Sequence, residues 1–260
     1  MSAPSADATT APARASTPLL ELRDVEAAYG PFRALFGVSL AVRERSVLAL
    51  LGSNGAGKTT VARVCSGLIK PTKGKLLYDG KDVTGRRAYR LARMGIAQAP
   101  EGRSVFASLT VEENLQLSLR RALGRARAAA GLERAYEMFR PLSQRRRQLA
   151  GTLSGGEQRM LALARVLANP PRLLVCDELS LGLAPIVVDE VYKTLATIRD
   201  AGTTLLIVEQ HVGHALSIAD DVAVLVRGKV TYDGPVAEMG DLSEWLLPSG
   251  EAGSPSPNGQ

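Results

Sequence analysis

The sequence predicts an α/β fold: a mostly parallel sheet packed by helices, with a helical subdomain inserted into the chain. Three observations carry this. Short apolar runs alternate with helix-like stretches from Val47 onward. One such run passes through a glycine-rich loop directly into a helix. The stretch 105–150 is rich in Leu, Arg and Ala and has little strand signal, as an insertion of helices would. A chain of 260 residues suits one large domain or two small ones. At that size it buries roughly 70–75% of its unfolded surface, so its core needs neither a disulfide nor a metal.

The elements follow in chain order. Residues 1–18 hold fifteen Ala, Ser, Thr or Pro and no apolar segment, so they read as a disordered tail rather than a secretory signal. Val47-Leu48-Ala49-Leu50-Leu51 is a short apolar run ending at a glycine, which suits a buried parallel strand. A helix follows from Lys58 to about Leu68. Pro71 to Gly74 forms a turn, and Asp79-Gly80 a hairpin. Thr110 and Glu113, just before Leu115 and Leu119, form a capping box that opens the first inserted helix. Leu173 to Cys176 is a second buried strand, Ile186 to Ala201 a helix, and Thr203 to Val208 a third strand. Strand, helix, strand in that order implies parallel pairing. From Pro248 the chain is rich in Pro, Ser and Gly and reads as a second disordered tail, 248–260. The ordered domain is therefore expected at 19–247, with its helical insertion at about 103–160.

Composition narrows the function classes. Hydrophobic residues are 45% and charged residues 22%, an ordinary globular balance, and no apolar run approaches the ~18 residues of a membrane span. Two cysteines and two histidines exclude a disulfide scaffold and most structural zinc sites. The net charge of +6 is uneven: nine arginines lie between Arg120 and Arg147, opposed by Glu133 and Glu137. That cluster reads first as a solvated helical surface and second as a binding patch.

The chemistry begins at Gly52-Ser53-Asn54-Gly55-Ala56-Gly57-Lys58-Thr59-Thr60, which fits G-x-x-x-x-G-K-[ST] between a strand and a helix. Glycines let the backbone curl so that N–H groups point at phosphate oxygens, and the helix N-terminus adds positive potential. Lys58 then reaches the β- and γ-phosphates, and the Thr59 hydroxyl ligates Mg²⁺. Such a site needs a second carboxylate for the metal and a group to orient water. Asp177 and Glu178, closing the run from Leu173, fill those two roles. Alone, they would read equally well as an exposed acidic pair at a strand end.

Leu153-Ser154-Gly155-Gly156-Glu157-Gln158 supports two readings. Ser154 and Glu157 form a capping box before a helix carrying Met160, Leu163, Ala164 and Leu167, stopped by Asn169-Pro170. That leaves two glycines in the first helical turn, where better helix formers exist. Bare backbone at a helix N-terminus suits close approach to an anion.

The glycine-rich loop, LSGGEQ and Asp177-Glu178, in that order, resemble the ATP-binding subunit of ABC transporters across residues 19–247. The resemblance implies a P-loop NTPase core with a mostly parallel sheet, an antiparallel β subdomain and an inserted helical subdomain. It implies ATP and Mg²⁺, with two ATPs sandwiched between two subunits so that Ser154, Gly155, Gly156 and Glu157 face the partner's γ-phosphate. Tyr29 takes the place of the aromatic that stacks on adenine, and Gln98 that of the glutamine touching Mg²⁺. Ala99-Pro100-Glu101-Gly102-Arg103, Thr110 to Leu115, and Ser180-Leu181-Gly182-Leu183-Ala184-Pro185 are similar to the uptake ATPases for branched-chain amino acids. That branch includes urea and short-amide importers.

The chain departs from the family pattern at Leu179 and Ser53, each in place of proline, and at Ala184, where many members carry aspartate. After the third strand, Gln210 aligns with the switch residue, and His211 lies one position later. The implied activity is ATP hydrolysis that powers import. The implied partners are a second ATPase subunit (a paralogue, or a second copy), transmembrane permease subunits and, indirectly, an extracytoplasmic solute-binding protein. No nucleic acid is expected. The implied location is the cytoplasmic face of the membrane. A soluble ABC ATPase acting on DNA or ribosomes, or the motor of a lipid exporter, stands as the alternative.

Overall fold

The computed structural model describes residues 18–99, 104–210 and 212–246. Both expected tails, Pro100 to Arg103 of the branch motif, and His211 lie outside the described residues, apart from Pro18. The first half runs β1 (Leu20–Tyr29), β2 (Phe32–Val42), β3 (Val47–Leu51), α1 (Lys58–Cys65), β4 (Lys73–Tyr78), β5 (Lys81–Asp82), α2 (Ala88–Arg93) and β6 (Ile96–Gln98). The inserted helices are α3 (Val111–Leu123), α4 (Arg125–Met138), α5 (Arg140–Ser143) and α6 (Gly155–Leu167). The chain closes with β7 (Leu173–Asp177), α7 (Pro185–Asp200), β8 (Thr204–Glu209), α8 (Val212–Ile218), β9 (Asp221–Val226), β10 (Lys229–Pro235) and α9 (Leu242–Leu246).

Two sheets result. The order β2-β1-β4-β5 is antiparallel throughout. Its β4–β5 hairpin turns on Asp79 and Gly80, with φ of 53° and 70°, the pair of left-handed residues that a two-residue hairpin loop needs. The second sheet has the order β10-β9-β3-β8-β7-β6, parallel from β9 to β6, with β10 added antiparallel at one edge. Strands β3, β7 and β8 are buried along their whole length. Helices cover both faces, so these strands read as unbroken apolar runs rather than alternating ones.

The parallel sheet divides the core in two. Leu48, Leu50, Leu173, Val175, Leu206 and Val208 pack with α1 and the antiparallel sheet. Val47, Ala49, Leu51, Leu174, Cys176, Leu205 and Ile207 pack with the inserted helices and α7. Successive residues go to opposite faces, as the pleat requires. Each fully buried Leu or Val on either face contributes about 1.5–3 kcal/mol.

Several expected boundaries move by a residue or more. Helix α1 stops at Cys65 rather than near Leu68 because the chain turns at Gly67, whose φ is +71°. A Cβ there would lie 2.7 Å from the Arg86 carbonyl. Strand β8 ends on Glu209, one residue beyond Val208. Residue 160, the expected end of the insertion, falls inside the unbroken helix α6.

The capping box at Thr110–Glu113 is present in both directions. Behind it, the fully buried Asn114 accepts from Phe106 N–H and donates to the carbonyls of Phe106, Leu109 and Thr110, which pins the loop entering the insertion. The arginine cluster is partly spent on the insertion itself. Arg134 donates to the Ala168 carbonyl, Arg145 pairs with Glu157 at 2.6 Å, and Arg146 lies 4.0 Å over the Tyr136 ring.

Candidate functional site: a phosphate loop beside a carboxylate strand end

Because β3, β7 and β8 run parallel, their C-terminal ends meet at one edge of the sheet. The loop Gly52 to Gly57 leaves β3 at that edge and opens α1. Gly55 and Gly57 have φ of 77° and 105°, values a side chain rarely adopts. A Cβ on Gly57 would stand 2.9 Å from Leu35 Cδ2 and 3.0 Å from the Ala34 carbonyl, whereas nothing lies within 4 Å of one on Gly55. The loop is thus tight against the antiparallel sheet at one end and open at Gly55. It is braced by Ala56 N–H to the Ser53 carbonyl, 3.2 Å, and by Gly228 N–H to the Ala56 carbonyl, 2.8 Å.

Lys58 is only 4% exposed, and its ammonium donates to the carbonyls of Gly52 (2.9 Å) and Ser53 (3.0 Å). Burial pushes its pKa below the ordinary lysine value, opposed by the nearby charges of Glu178, Asp177 and Glu209. A desolvated cation facing three carboxylates has much to gain from a polyanion at the loop.

The Thr59 hydroxyl donates to Asp177 Oδ1 at 3.3 Å, which brings two expected metal ligands together from α1 and β7. Gln98, at the end of β6, has a buried Oε1 with no hydrogen-bond partner among the described residues. A buried amide oxygen without a donor costs free energy unless a cation or donor arrives. Threonine hydroxyl, aspartate and amide oxygen form a hard donor set that fits Mg²⁺, which ordinarily takes one or two carboxylates plus phosphate oxygens. Among the described residues no group of three or more His, Cys, Asp or Glu could hold a metal without such help.

Glu178 follows β7 in the left-handed region, φ 48°, an uncommon place for a residue with a side chain. Its N–H donates to the Val208 carbonyl at 2.9 Å, and its own carbonyl accepts from Arg159 Nη2 at 2.6 Å. Tyr29 sits at the end of β1, 43% exposed, with its hydroxyl 3.4 Å from both Thr60 Oγ1 and Arg63 Nη1. Its ring therefore borders the outer side of α1, where a planar base could lie on it. Gln210, directly after the buried Glu209, is exposed.

The Ser154–Glu157 segment stands elsewhere. It opens α6, which packs on α3, α4, α5 and α7, whereas α1 packs on β1, β2, β7 and β8. Ser154 caps the helix as the sequence suggests: Glu157 N–H donates to Ser154 Oγ at 3.3 Å, and Ser154 N–H donates to Glu157 Oε2 at 2.9 Å. Ser154 and Gly155 are exposed. Gly156 faces the start of α7, where a Cβ would meet Val187 Cγ2 at 3.2 Å. So the structure brings Gly52 to Thr60, Gln98, Asp177 and Glu178 to one sheet edge and presents Ser154 to Gly156 on a separate helix end.

Sequence reasoning missed two buried charges beside this edge. Glu209 is 1% exposed; it accepts from Ser180 N–H (3.0 Å), Ser180 Oγ (2.9 Å) and Tyr192 OH (3.2 Å). Arg159 is 8% exposed. Both had a signal. Glu209 closes an apolar run just as Asp177 does, and Arg159 precedes Leu163 by four residues, which puts it on the apolar stripe of α6.

The family described as ABC transporter matches residues 35–180 of this chain. The chain is 38% identical over 217 residues to the high-affinity branched-chain amino acid transport ATP-binding protein BraG of Pseudomonas aeruginosa, a match spanning 82% of this chain and 91% of that protein. It is 32% identical to the probable branched-chain amino acid transport ATP-binding protein LivF of Archaeoglobus fulgidus, spanning 85% and 94%. Among solved structures, the ADP conformation of an ATP-binding cassette of an ABC transporter superposes with a TM-score of 0.73 at 26% identity, spanning 85% of this chain and 92% of that one.

Proposed function

This chain belongs to the ABC transporter family, and from that premise we propose that it is the ATP-hydrolysing subunit of an importer for branched-chain or other hydrophobic amino acids. One observation carries the mechanistic part. The buried Lys58 and the Thr59–Asp177 pair stand at the loop, and the next strand end brings Gln98, whose buried oxygen has no partner among the described residues. The solute class rests on the likeness to BraG and LivF.

In this reading Tyr29 stacks on the adenine, and the N–H groups of Ser53 to Thr60 and the Lys58 ammonium bind the phosphates. Thr59, Asp177 and Gln98 would hold Mg²⁺, which when bound neutralises the charge that develops on the phosphate oxygens. Glu178 orients and deprotonates the attacking water. Gln210, exposed at the end of β8, donates its amide to the γ-phosphate. Ser154 to Glu157 close on the nucleotide of a second ATPase subunit, a paralogue of this chain or a second copy, so a complete site needs both. Among the described residues no helix is long and apolar enough to cross a membrane. In this reading the ABC transporter family supplies permease subunits as partners, and this chain acts at the cytoplasmic membrane face.

Co-purification with membrane subunits followed by a solute-stimulated ATPase assay tests the proposal. Leucine, isoleucine or valine should raise turnover in the presence of the solute-binding protein. Stimulation by urea or short amides alone would move the chain to the other import branch. Failure of any membrane subunit to co-purify would remove the transport reading.

A further inference from the structure

The segment Glu178–Leu179–Ser180 is held from two directions. Strand β8 holds it through the Val208 carbonyl on Glu178 N–H, 2.9 Å, and through the Glu209 carboxylate on Ser180 N–H and Oγ. Leu179, between them, is 1% exposed and locked in the core. The remaining hold comes from α6: Arg159 Nη2 donates to the Glu178 carbonyl at 2.6 Å. That carbonyl fixes the peptide plane on the C-terminal side of a residue already in the left-handed region, φ 48°. With its N–H pinned as well, the backbone of Glu178, and so the direction in which its Cα–Cβ bond leaves the chain, follows from these two bonds.

Arg159 is well suited to the task. Its guanidinium is buried, so its bond is not diluted by water; burial pushes its pKa below the usual arginine value, and the Glu209 and Asp177 carboxylates oppose that shift. It also stands four residues after Gly155, about 6 Å along the same helix. A helix moves as a rigid piece, so a displacement of its Ser154–Gly156 end displaces Arg159 too.

We propose that Arg159 is a positioning residue that couples the Ser154–Gly156 end of α6 to the water-orienting carboxylate of Glu178 in the same subunit. The inference rests on the reading of Glu178 and of the helix end given above. Engagement of the helix end by the other subunit's nucleotide sets the Glu178 peptide, and so arms this subunit's own hydrolysis. The two sites of the dimer are thereby linked through one buried guanidinium.

The test is a double-mutant cycle in the full-length chain with its co-purifying subunits. Arg159→Met should lower kcat roughly ten- to a hundredfold, the range of a hydrogen bond to a charged group, with KM for ATP within twofold of the wild type. Combined with Glu178→Gln, it should lower the residual single-turnover rate no further, because its effect passes through the residue already removed. If Arg159→Met fails to fold, with Glu209 left as an uncompensated buried charge, the cycle is run on Arg159→Met/Glu209→Gln against Glu209→Gln alone. Turnover within twofold in the arginine variant, or losses that multiply in the combined variant, would overturn the coupling while leaving Glu178 in place. If Glu178→Gln alone keeps more than about a tenth of wild-type turnover, a smaller loss than removal of a general base brings, the Glu178 reading fails and the coupling with it.

Discussion

Replacing Ser154 with alanine separates the two roles that its sequence context offers. The structure shows the cap: Ser154 Oγ accepts from Glu157 N–H, and Glu157 Oε2 accepts from Ser154 N–H and pairs through Oε1 with Arg145. Losing a serine cap costs about 1 kcal/mol. In a domain of this size that lowers Tm by roughly 2–4 °C. A protein stable by several kcal/mol stays almost wholly folded at assay temperature, so the cap by itself predicts no loss of turnover. The exposed hydroxyl at the helix end adds a second consequence if it meets a γ-phosphate. Removing a hydrogen bond to a charged group costs about 1.5–3 kcal/mol, or roughly 10- to 150-fold in rate where the bond is made in the transition state. The expected result is therefore a small fall in Tm by calorimetry, ATP binding to the isolated subunit within twofold of the wild type, and turnover down by at least tenfold. A lowered Tm with turnover unchanged would refute the phosphate contact and leave Ser154 as a cap alone.

Glu178→Gln should reduce steady-state hydrolysis by about 10²–10⁴, the usual worth of a positioned general base, and hold an ATP-dependent dimer visible by size-exclusion chromatography. Turnover above about a tenth of the wild type would count against the role. Gln210→Ala should lower turnover strongly and His211→Ala little, with no step in the rate between about pH 6 and 7, where a free histidine titrates. The reverse order of the two mutants would transfer the switch to His211. Cys65, fully buried, has its thiol pushed up to about 12 by desolvation, and burial drives Cys176 higher still. Neither should react with iodoacetamide at neutral pH until the protein is denatured, and mass spectrometry of native, labelled protein would reveal the contrary.

How much of this was legible in the sequence depended on whether a residue's role is local. The Gly52–Thr59 loop, both capping boxes and the Asp79-Gly80 hairpin are set by neighbours within a few positions, and the structure places each where the pattern put it. In the antiparallel sheet the β1–β4 pairing joins segments far apart in the chain; resemblance supplied an antiparallel subdomain, and the order β2-β1-β4-β5 was not legible. Helix ends were the least legible. The stop at Cys65 depends on a left-handed Gly67 crowded by the Arg86 backbone, a contact between residues that no local pattern joins.

Buried charge shows the limit most clearly. Composition treats Arg159 and Glu209 as it treats any arginine on a helix or any glutamate at a strand end, and their spacing hints at burial without naming a partner, yet both are buried and both grip the Glu178–Ser180 segment. Asp177 was found because it sits opposite a recognisable phosphate loop. Glu209 occupies the corresponding end of the adjacent strand, one residue beyond the Val208 that pairs with Asp177, and was passed over because its partners, Ser180 and Tyr192, carry no charge. Burying an isolated ion is costly, and a chain that does so at two places against one short segment holds that segment to a single geometry. That geometry includes Glu178 at φ 48°, strained by about 1–3 kcal/mol in the usual range for such residues. Left to itself, the segment would relax toward a common backbone angle and swing the Glu178 carboxylate away from the loop. The buried pair supplies the opposing hold, which is why its absence from the legible pattern matters more to function than any misplaced helix end.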